Sequence, residues 1–322
     1  MKKIKLAIGF ICYGELTAKY LSQFVPSLFA AIKESGAEVQ IMAWDNLPKA
    51  EENFEFLDKY YPQIEVIKSG VNLGFGKSFN RLIAQAHAWE ADYFLVVNPD
   101  VFLGKHSLAK MLASLELDEH LGSVAPKVYC WDFDHGQGTK IIDTCGIVKA
   151  PGMRFHDLGQ GQPDRLQFDS SLIVGPSGCC ALYRMKALES VRQGNEYFDE
   201  LMFMYKEDCD LAVRLRLAGW GSELAPEAHV WHDRTVAGKS GSLFGLWSAW
   251  KDKNRAAQKW AFRNQFIIYY KYWRWENWTG LLMTFVHMSM RLVYARLFDR
   301  ELWQEIKEFW RLRQRIHRPH YK

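Results

Sequence analysis

Apolar and polar positions change period in short blocks along the first 130 residues. Residues 4–11 form an apolar run closed by a turn at Gly14. Residues 16–33 carry the three-and-four spacing of a helix that stops at Gly36. A strand is predicted over 39–43, with Asp45 just past its end, then a short helix over 51–60. A third strand over 64–67 runs into Gly70-Val71-Asn72-Leu73-Gly74-Phe75-Gly76. A helix over 77–89 leads to a wholly apolar strand at 93–97, capped by Asn98-Pro99-Asp100. A helix over 107–115 and a strand over 123–128 close the series. Repeated βα units of this length predict an α/β fold, with a mostly parallel sheet flanked by helices on both faces. Ligands of such sheets bind beyond the carboxyl ends of the strands. Asp45, Asn72 and Asp100 all stand there, so one crevice can gather them.

The pattern then loosens. Residues 131–170 are rich in glycine and proline and predict loops with one hairpin. Strand character returns over 173–183 around Gly175-Pro176-Ser177-Gly178. Next comes Lys206-Glu207-Asp208-Cys209-Asp210-Leu211, with acids packed into the start of a short helix. Leu211, Leu215 and Ala218 make its apolar stripe and Gly219 its stop. Asp208 leans toward the packed side, where a carboxylate at a cleft wall can act as a general base. Acids in a first turn also simply stabilise the helix dipole. A short strand is predicted to end near His229-Val230-Trp231-His232.

From about residue 243 the pattern changes again, which divides the chain into 1–242 and a C-terminal helical, aromatic and basic annex, 243–322. Eight of the thirteen Trp lie in the annex. Trp247, Trp250, Trp260, Trp273, Trp275 and Trp278 alternate with Lys251, Lys253, Arg255, Lys259, Arg263, Lys271 and Arg274. Leu281, Phe285, Met288, Leu292 and Ala295 form one helical stripe, with Thr284, His287 and Arg291 on the other face. The uncharged run 277–290 is fourteen residues, short of the ~20 that cross a bilayer. The annex is therefore expected either to lie on a membrane surface or to pack against the first domain or a second subunit in a homodimer.

Composition narrows the field. A chain of 322 residues with 48% hydrophobic and 24% charged residues can bury a sizeable core. A net charge of +4 gives no reason to expect a nucleic-acid partner. Six scattered cysteines without a CxxC pair argue against zinc and for a reducing, cytoplasmic setting. No signal peptide is recognised at the N-terminus.

Gly74-Phe75-Gly76-Lys77-Ser78 looks like the end of a P-loop, but the register fails. Val71 stands where the first glycine belongs. A dinucleotide fingerprint after the first strand is also missing, since that turn carries only Gly14.

Taken in order, the remaining motifs are Asp45-Asn46, then Asn72-Leu73-Gly74-Phe75-Gly76 with Asn80, then Asn98-Pro99-Asp100. Gly178-Cys179-Cys180 follows, then Phe198-Asp199-Glu200, Glu207-Asp208 and His232. In this order and spacing, residues 4–240 resemble the inverting family 2 glycosyltransferases of GT-A fold, a Rossmann-like architecture, and most of all their rhamnosyltransferase-type branch. The resemblance implies a nucleotide-sugar donor, dTDP- or UDP-linked, and a glycan or lipid-linked acceptor. It also implies a Mg²⁺ or Mn²⁺ ion that neutralises the donor diphosphate. Asp100 matches the second acid of the family's Asp-x-Asp motif and would bind that ion; Asn98 replaces the first. His232 matches a histidine that serves some members as a further metal ligand, with His229 as the competitor. Asp45, Asn72, Gly74, Asn80 and Asn98 would line the donor site, the glycines letting backbone approach. Leu47 stands where the family places a small residue, and Asp45 also fits a helix N-cap. Asp208 matches the catalytic base, with Glu207 orienting the acceptor or the base; Asp210 is expected to pair with Arg214 at i+4. Two other functions keep a place beside this one: a non-catalytic glycan-binding or scaffold protein on the same fold, and a P-loop NTPase.

Overall fold

The structure is a computed structural model that describes residues 3–47, 52–132, 135–168, 172–233 and 255–318. The 242/243 boundary, Trp247, Trp250, Lys251 and Lys253 lie outside the described residues.

The βα series forms as its pattern predicts: β1 (Lys5–Cys12), α1 (Glu15–Ser35), β2 (Glu38–Asp45), α2 (Glu52–Tyr60), β3 (Glu65–Lys68), α3 (Gly74–Ala88) and β4 (Tyr93–Val97). β2 runs two residues past its expected end, so Asp45 closes the strand instead of following it. The third helix begins at Gly74, so the Gly-Phe-Gly turn is its first turn. Asn98-Pro99-Asp100 then connects β4 to a short β5 (Val101–Leu103), which is followed by α4 (Ser107–Leu117). All of β4 is buried. Leu95 and Val97 face the core under α1 and α4, while Phe94 and Val96 face the core under α3. Gly9 lets α3 come close on that second face, because a Cβ there would sit 2.7 Å from the Phe94 ring.

Beyond β4 the sheet becomes mixed. β6 (Leu121–Asp132) is twice the length expected, and β7 (Gln137–Thr144) pairs back onto it. A second hairpin follows, β8 (Ile147–Ala150) with β9 (Arg154–Asp157). The loop-rich region therefore holds two hairpins, not one. β10 (Cys180–Arg184) keeps only the end of the apolar run 173–183 and runs antiparallel to both β4 and β6. After α5 (Met185–Ser190) and α6 (Glu207–Leu217), β11 (Gly221–His232) runs parallel to β6, with a register shift between Ala225 and His229. The sheet order is β3-β2-β1-β4-β10-β6-β11-β5. Parallel pairing holds from β3 through β4, and the second half mixes both directions.

The annex is helical: α7 (Arg255–Tyr272), α8 (Trp278–Phe298) and α9 (Arg300–Leu312). It shares a core with the body, since Met153, Met202 and Val213 pack among Phe262, Phe266, Ile267 and Tyr272. In α8 the expected stripe divides. Ala295 is buried and Met288 and Leu292 pack on the annex core, but Phe285 is exposed. Thr284, expected on the polar face, is buried and bonds the Gly280 carbonyl. The small residues of α8 face inward and its large apolar ones outward: Trp278, Leu282, Phe285, Met290, Leu297 and Phe298 are all exposed. The helix is 21 residues, and by length and composition it reaches what a membrane span needs, which the shorter uncharged run had argued against.

Candidate active site

Three strand ends bring the first group together. Asp100 follows β4, His232 ends β11 and Asp143 lies near the end of β7. His232 Nε2 stands 3.3 Å from Asp100 Oδ2, and His232 Nδ1 stands 2.8 Å from Asp143 Oδ2. Burial pulls the imidazole toward neutrality, but the two carboxylates outweigh it and raise its pKa well above the ordinary value. Asp100 Oδ1 is buried without a hydrogen-bond partner. An orphaned carboxylate oxygen costs free energy unless something meets it. A pair of donors 3.3 Å apart, one oxygen and one imidazole nitrogen, suits two ligands of one divalent cation. Asp143 would then fix the ring from behind, as carboxylates do for metal-bound histidines.

Cys179 also brings its sulfur within 4.8 Å of the Asp143 and His232 ligand atoms. Burial pushes that thiol up to about 12, so it keeps its proton and is a poor ligand for a hard ion. His229, the competitor, stacks edge-on against Tyr129 instead. Asp143 was not singled out from the sequence, because it sat in a stretch read as loop, where an acid carries no signal of its own; Cys179 was quoted within a motif but given no role.

The second group is the head of α6. Asp208 is half-buried, and its Oδ2 accepts the Gly178 amide at 3.0 Å. Glu207 is buried, with Oε2 unpartnered. Burial pushes its carboxyl up to about 8, and the neighbouring Asp208 charge adds to the shift. Asp210 is quite different. It pairs with Arg214 Nε at 2.8 Å, as its i+4 spacing predicts, and also with Lys271 Nζ and the Tyr272 hydroxyl of α7. Burial raises its pKa, but Lys271 and Arg214 outweigh that and hold it down at about 2. The two groups meet through residues 178–179: the Gly178 amide holds Asp208, and the Cys179 carbonyl accepts the Asn98 amide at 2.9 Å.

The residues expected at the donor meet protein groups in the structure. Asp45 is buried and accepts the Leu47 amide at 3.1 Å. Burial raises its pKa, against the Leu47 amide and the charge of Lys68. That local turn, with Leu47 in the place of a small residue, is what Asp45 caps among the described residues. Asn72 Oδ1 accepts the Gly74 amide at 2.9 Å, in the turn just ahead of α3.

Asn80 was expected at the donor. Instead its oxygen accepts the amides of Tyr197 and Phe198, and its nitrogen donates to the Phe198 carbonyl and Glu200. Both ends of the carboxamide are committed, so Asn80 braces the segment leading to α6. The glycines likewise admit protein backbone. Gly74 has φ +74°, and a Cβ there would lie 2.4 Å from the Phe203 carbonyl; a Cβ on Gly76 would meet Phe198. Asn46 completes the brace: its Oδ1 accepts the Leu73 amide and the Ser78 hydroxyl. No phosphate cradle forms at this turn, and Lys77 lies 3.7 Å from Glu200.

Comparison with known proteins decides the family. Residues 8–192 match the family described as Glycosyl transferase family 2. The chain belongs to glycosyl transferase family 2. Its sequence is 31% identical over 192 residues to N-acetylglucosaminyl-diphospho-decaprenol L-rhamnosyltransferase of Mycobacterium tuberculosis, a match spanning 54% of this chain and 60% of that protein. Among solved structures it is similar to GalNAc-T7 with UDP, GalNAc and Mn²⁺, with TM-score 0.60, 12% identity, and coverage of 96% of this chain and 56% of that one. It is also similar to residues 1–349 of S. aureus TarS in complex with UDP, with TM-score 0.51, 14% identity, and coverage of 97% and 92%. These structural likenesses establish the GT-A-type fold.

Proposed function

We propose that this family 2 protein is an inverting glycosyltransferase. It moves a sugar, with rhamnose from dTDP-rhamnose as first choice, onto a hydroxyl of a lipid-linked or cell-surface glycan. The observation that carries the proposal is the link through residues 178–179. It ties a half-buried carboxylate, Asp208, to the strand-end pair Asp100 and His232. Asp208 takes the proton of the acceptor hydroxyl as that oxygen attacks the anomeric carbon. The bond to the diphosphate breaks on the opposite face, and a single displacement inverts the centre. Glu207 orients the acceptor beside the base. Asp100 and His232 would hold Mg²⁺ or Mn²⁺, which supplies positive charge to the leaving diphosphate. Asp45, at the end of β2, faces the nucleoside.

The rhamnosyl donor and a polyprenol-linked acceptor are supported by the activity for which the mycobacterial relative is named. UDP in the related structures supports a nucleotide-linked donor. A lipid-linked acceptor also gives α8 a task. Its outward face is apolar, and its two arginines are turned onto protein rings, Arg291 to Phe262 and Arg296 to Trp303. Its inner side is covered by the annex core. Such a helix lies in the headgroup boundary at the cytoplasmic face of the membrane.

A panel of dTDP- and UDP-sugars with Mn²⁺ tests the donor by thermal shift, because a true donor stabilises the fold by mass action. dTDP-rhamnose should give the largest shift, and the product should show the inverted anomeric configuration by NMR. No shift with any sugar nucleotide would favour the non-catalytic glycan-binding reading. Flotation with anionic liposomes tests the membrane contact. A chain that stays unbound at low salt and sediments as a dimer assigns the α8 face to a second copy.

A further inference from the structure

Residues 203–206 join the 3₁₀ turn Glu200–Met202 to α6. Three of the four are non-glycine residues at positive φ: Phe203 at 62°, Tyr205 at 73° and Lys206 at 77°. Such a residue is strained and persists only where its surroundings over-determine it. The loop joins the first turn of α3 to the head of α6. At one end the Phe203 carbonyl accepts the Phe75 amide at 2.8 Å, in the first turn of α3. At the other, the Lys206 carbonyl accepts the Asp210 amide at 2.9 Å, closing the first turn of α6 directly around Glu207 and Asp208.

The loop is held from α7. Asn264 is wholly buried, and its Nδ2 lies 2.7 Å from the Met202 carbonyl, 2.9 Å from that of Met204 and 2.7 Å from that of Tyr205. A carboxamide nitrogen has two hydrogens, so the carbonyls share them in a fork. Arg263 adds bonds to the Leu201 and Met202 carbonyls at 3.2 and 3.3 Å. The Phe203 ring rests on Trp260, centroids 4.7 Å apart.

We infer that Asn264 is a positioning residue for sugar transfer. By fixing the strained loop 203–206 it sets the Phe75 turn on the donor side and the Asp208 helix in one register. The inference rests on the reading of Asp208 as the base.

The test uses the full chain and compares Asn264→Asp with Gln265→Leu. The first keeps the shape of the side chain but sets acceptors against three carbonyls. The second is the control: Gln265 is also buried on α7, but it bonds the Met153 carbonyl, away from the loop. Two readouts are taken, hydrogen exchange at the Phe75 amide without ligand, and kcat and KM per folded enzyme with dTDP-rhamnose and Mn²⁺. In Asn264→Asp, Phe75 should exchange at least about tenfold faster. Its kcat should fall about 10- to 100-fold, as small misplacements near reacting groups do. Gln265→Leu should lower the melting temperature with neither change. Wild-type exchange and kcat in Asn264→Asp, or equal losses in Gln265→Leu, would overturn the inference. Asn264→Ser, read the same way, replaces Asn264→Asp if that variant does not fold. The two readings fail separately. Full activity of Asp208→Asn removes the base but leaves the Phe75 exchange result standing. An inactive Asp208→Asn with unchanged Phe75 exchange removes only the role of Asn264.

Discussion

The two ends of the crevice are built in different ways. The end that carries Asp45, Asp100 and His232 is made of strand termini, and hydrogen bonds within the sheet fix its geometry. The end that carries Glu207 and Asp208 sits on a short helix entered through a strained loop. Partners from α7 hold that helix: Lys271 Nζ reaches both Asp199 and Asp210, and the Tyr272 hydroxyl reaches Asp210. The strand-end side is thus a property of the sheet, while the α6 side depends on side chains some sixty residues downstream. Neighbouring acids then take opposite states. Asp210, among cations, is held ionised, and Glu207, without one, is held neutral. Packing partners decide the chemistry of each carboxylate, although three acids share one turn.

The largest expected effect of breaking this arrangement is on stability. Lys271→Met removes a wholly buried cation from Asp199 and Asp210. Removing one partner of a buried pair costs about 3–5 kcal/mol, measurable by urea denaturation. A loss below about 1 kcal/mol would mean that the annex does not hold the base end. Next comes Asp100→Ala, at the sheet end. It should leave the fold intact, abolish the Mn²⁺ dependence of donor binding and lower turnover by at least about 10²-fold. Full activity in EDTA would contradict that role.

The smallest effect is a slope in stability with pH. Glu207 has a folded pKa of about 8, above the ~4.3 of an unfolded chain. Its contribution is fully present below about pH 4 and is lost as pH rises through 8. Melting temperature should fall over that window in the wild type, and Glu207→Gln should remove this part of the fall. Asp210 acts with the opposite sign: its contribution holds above about pH 4 and is lost as pH falls through 2.

The same division explains what was legible in the sequence. Strand ends announce themselves, because a wholly apolar block such as Tyr93–Val97 stops at a polar turn. Asp45, Asn72 and Asp100 could therefore be placed beyond strand ends from pattern alone, while His232 joined them only through the family resemblance. The Asp210–Arg214 pair was legible from helical spacing. Asn80 was misplaced because a carboxamide in a loop-to-helix motif looks the same whether it meets a ligand or backbone. Asn264 and Lys271 gave no signal: polar residues on a helix read as a solvated face until the fold supplies carbonyls and carboxylates to meet them. Which residues make up the outward face of α8 was not legible, for the converse reason. Periodicity shows that a helix has two faces, but Gly280, Thr284 and Ala295 pack more closely than the large side chains and take the inside.

The most direct test of the central claim is Asp208→Asn, with donor affinity and turnover measured on the same preparation. The amide keeps the shape of the side chain but cannot take the acceptor's proton. Donor affinity should stay at the wild-type value while kcat falls by about 10²–10⁴. Turnover near the wild-type rate would contradict the account and pass the role of base to Glu207.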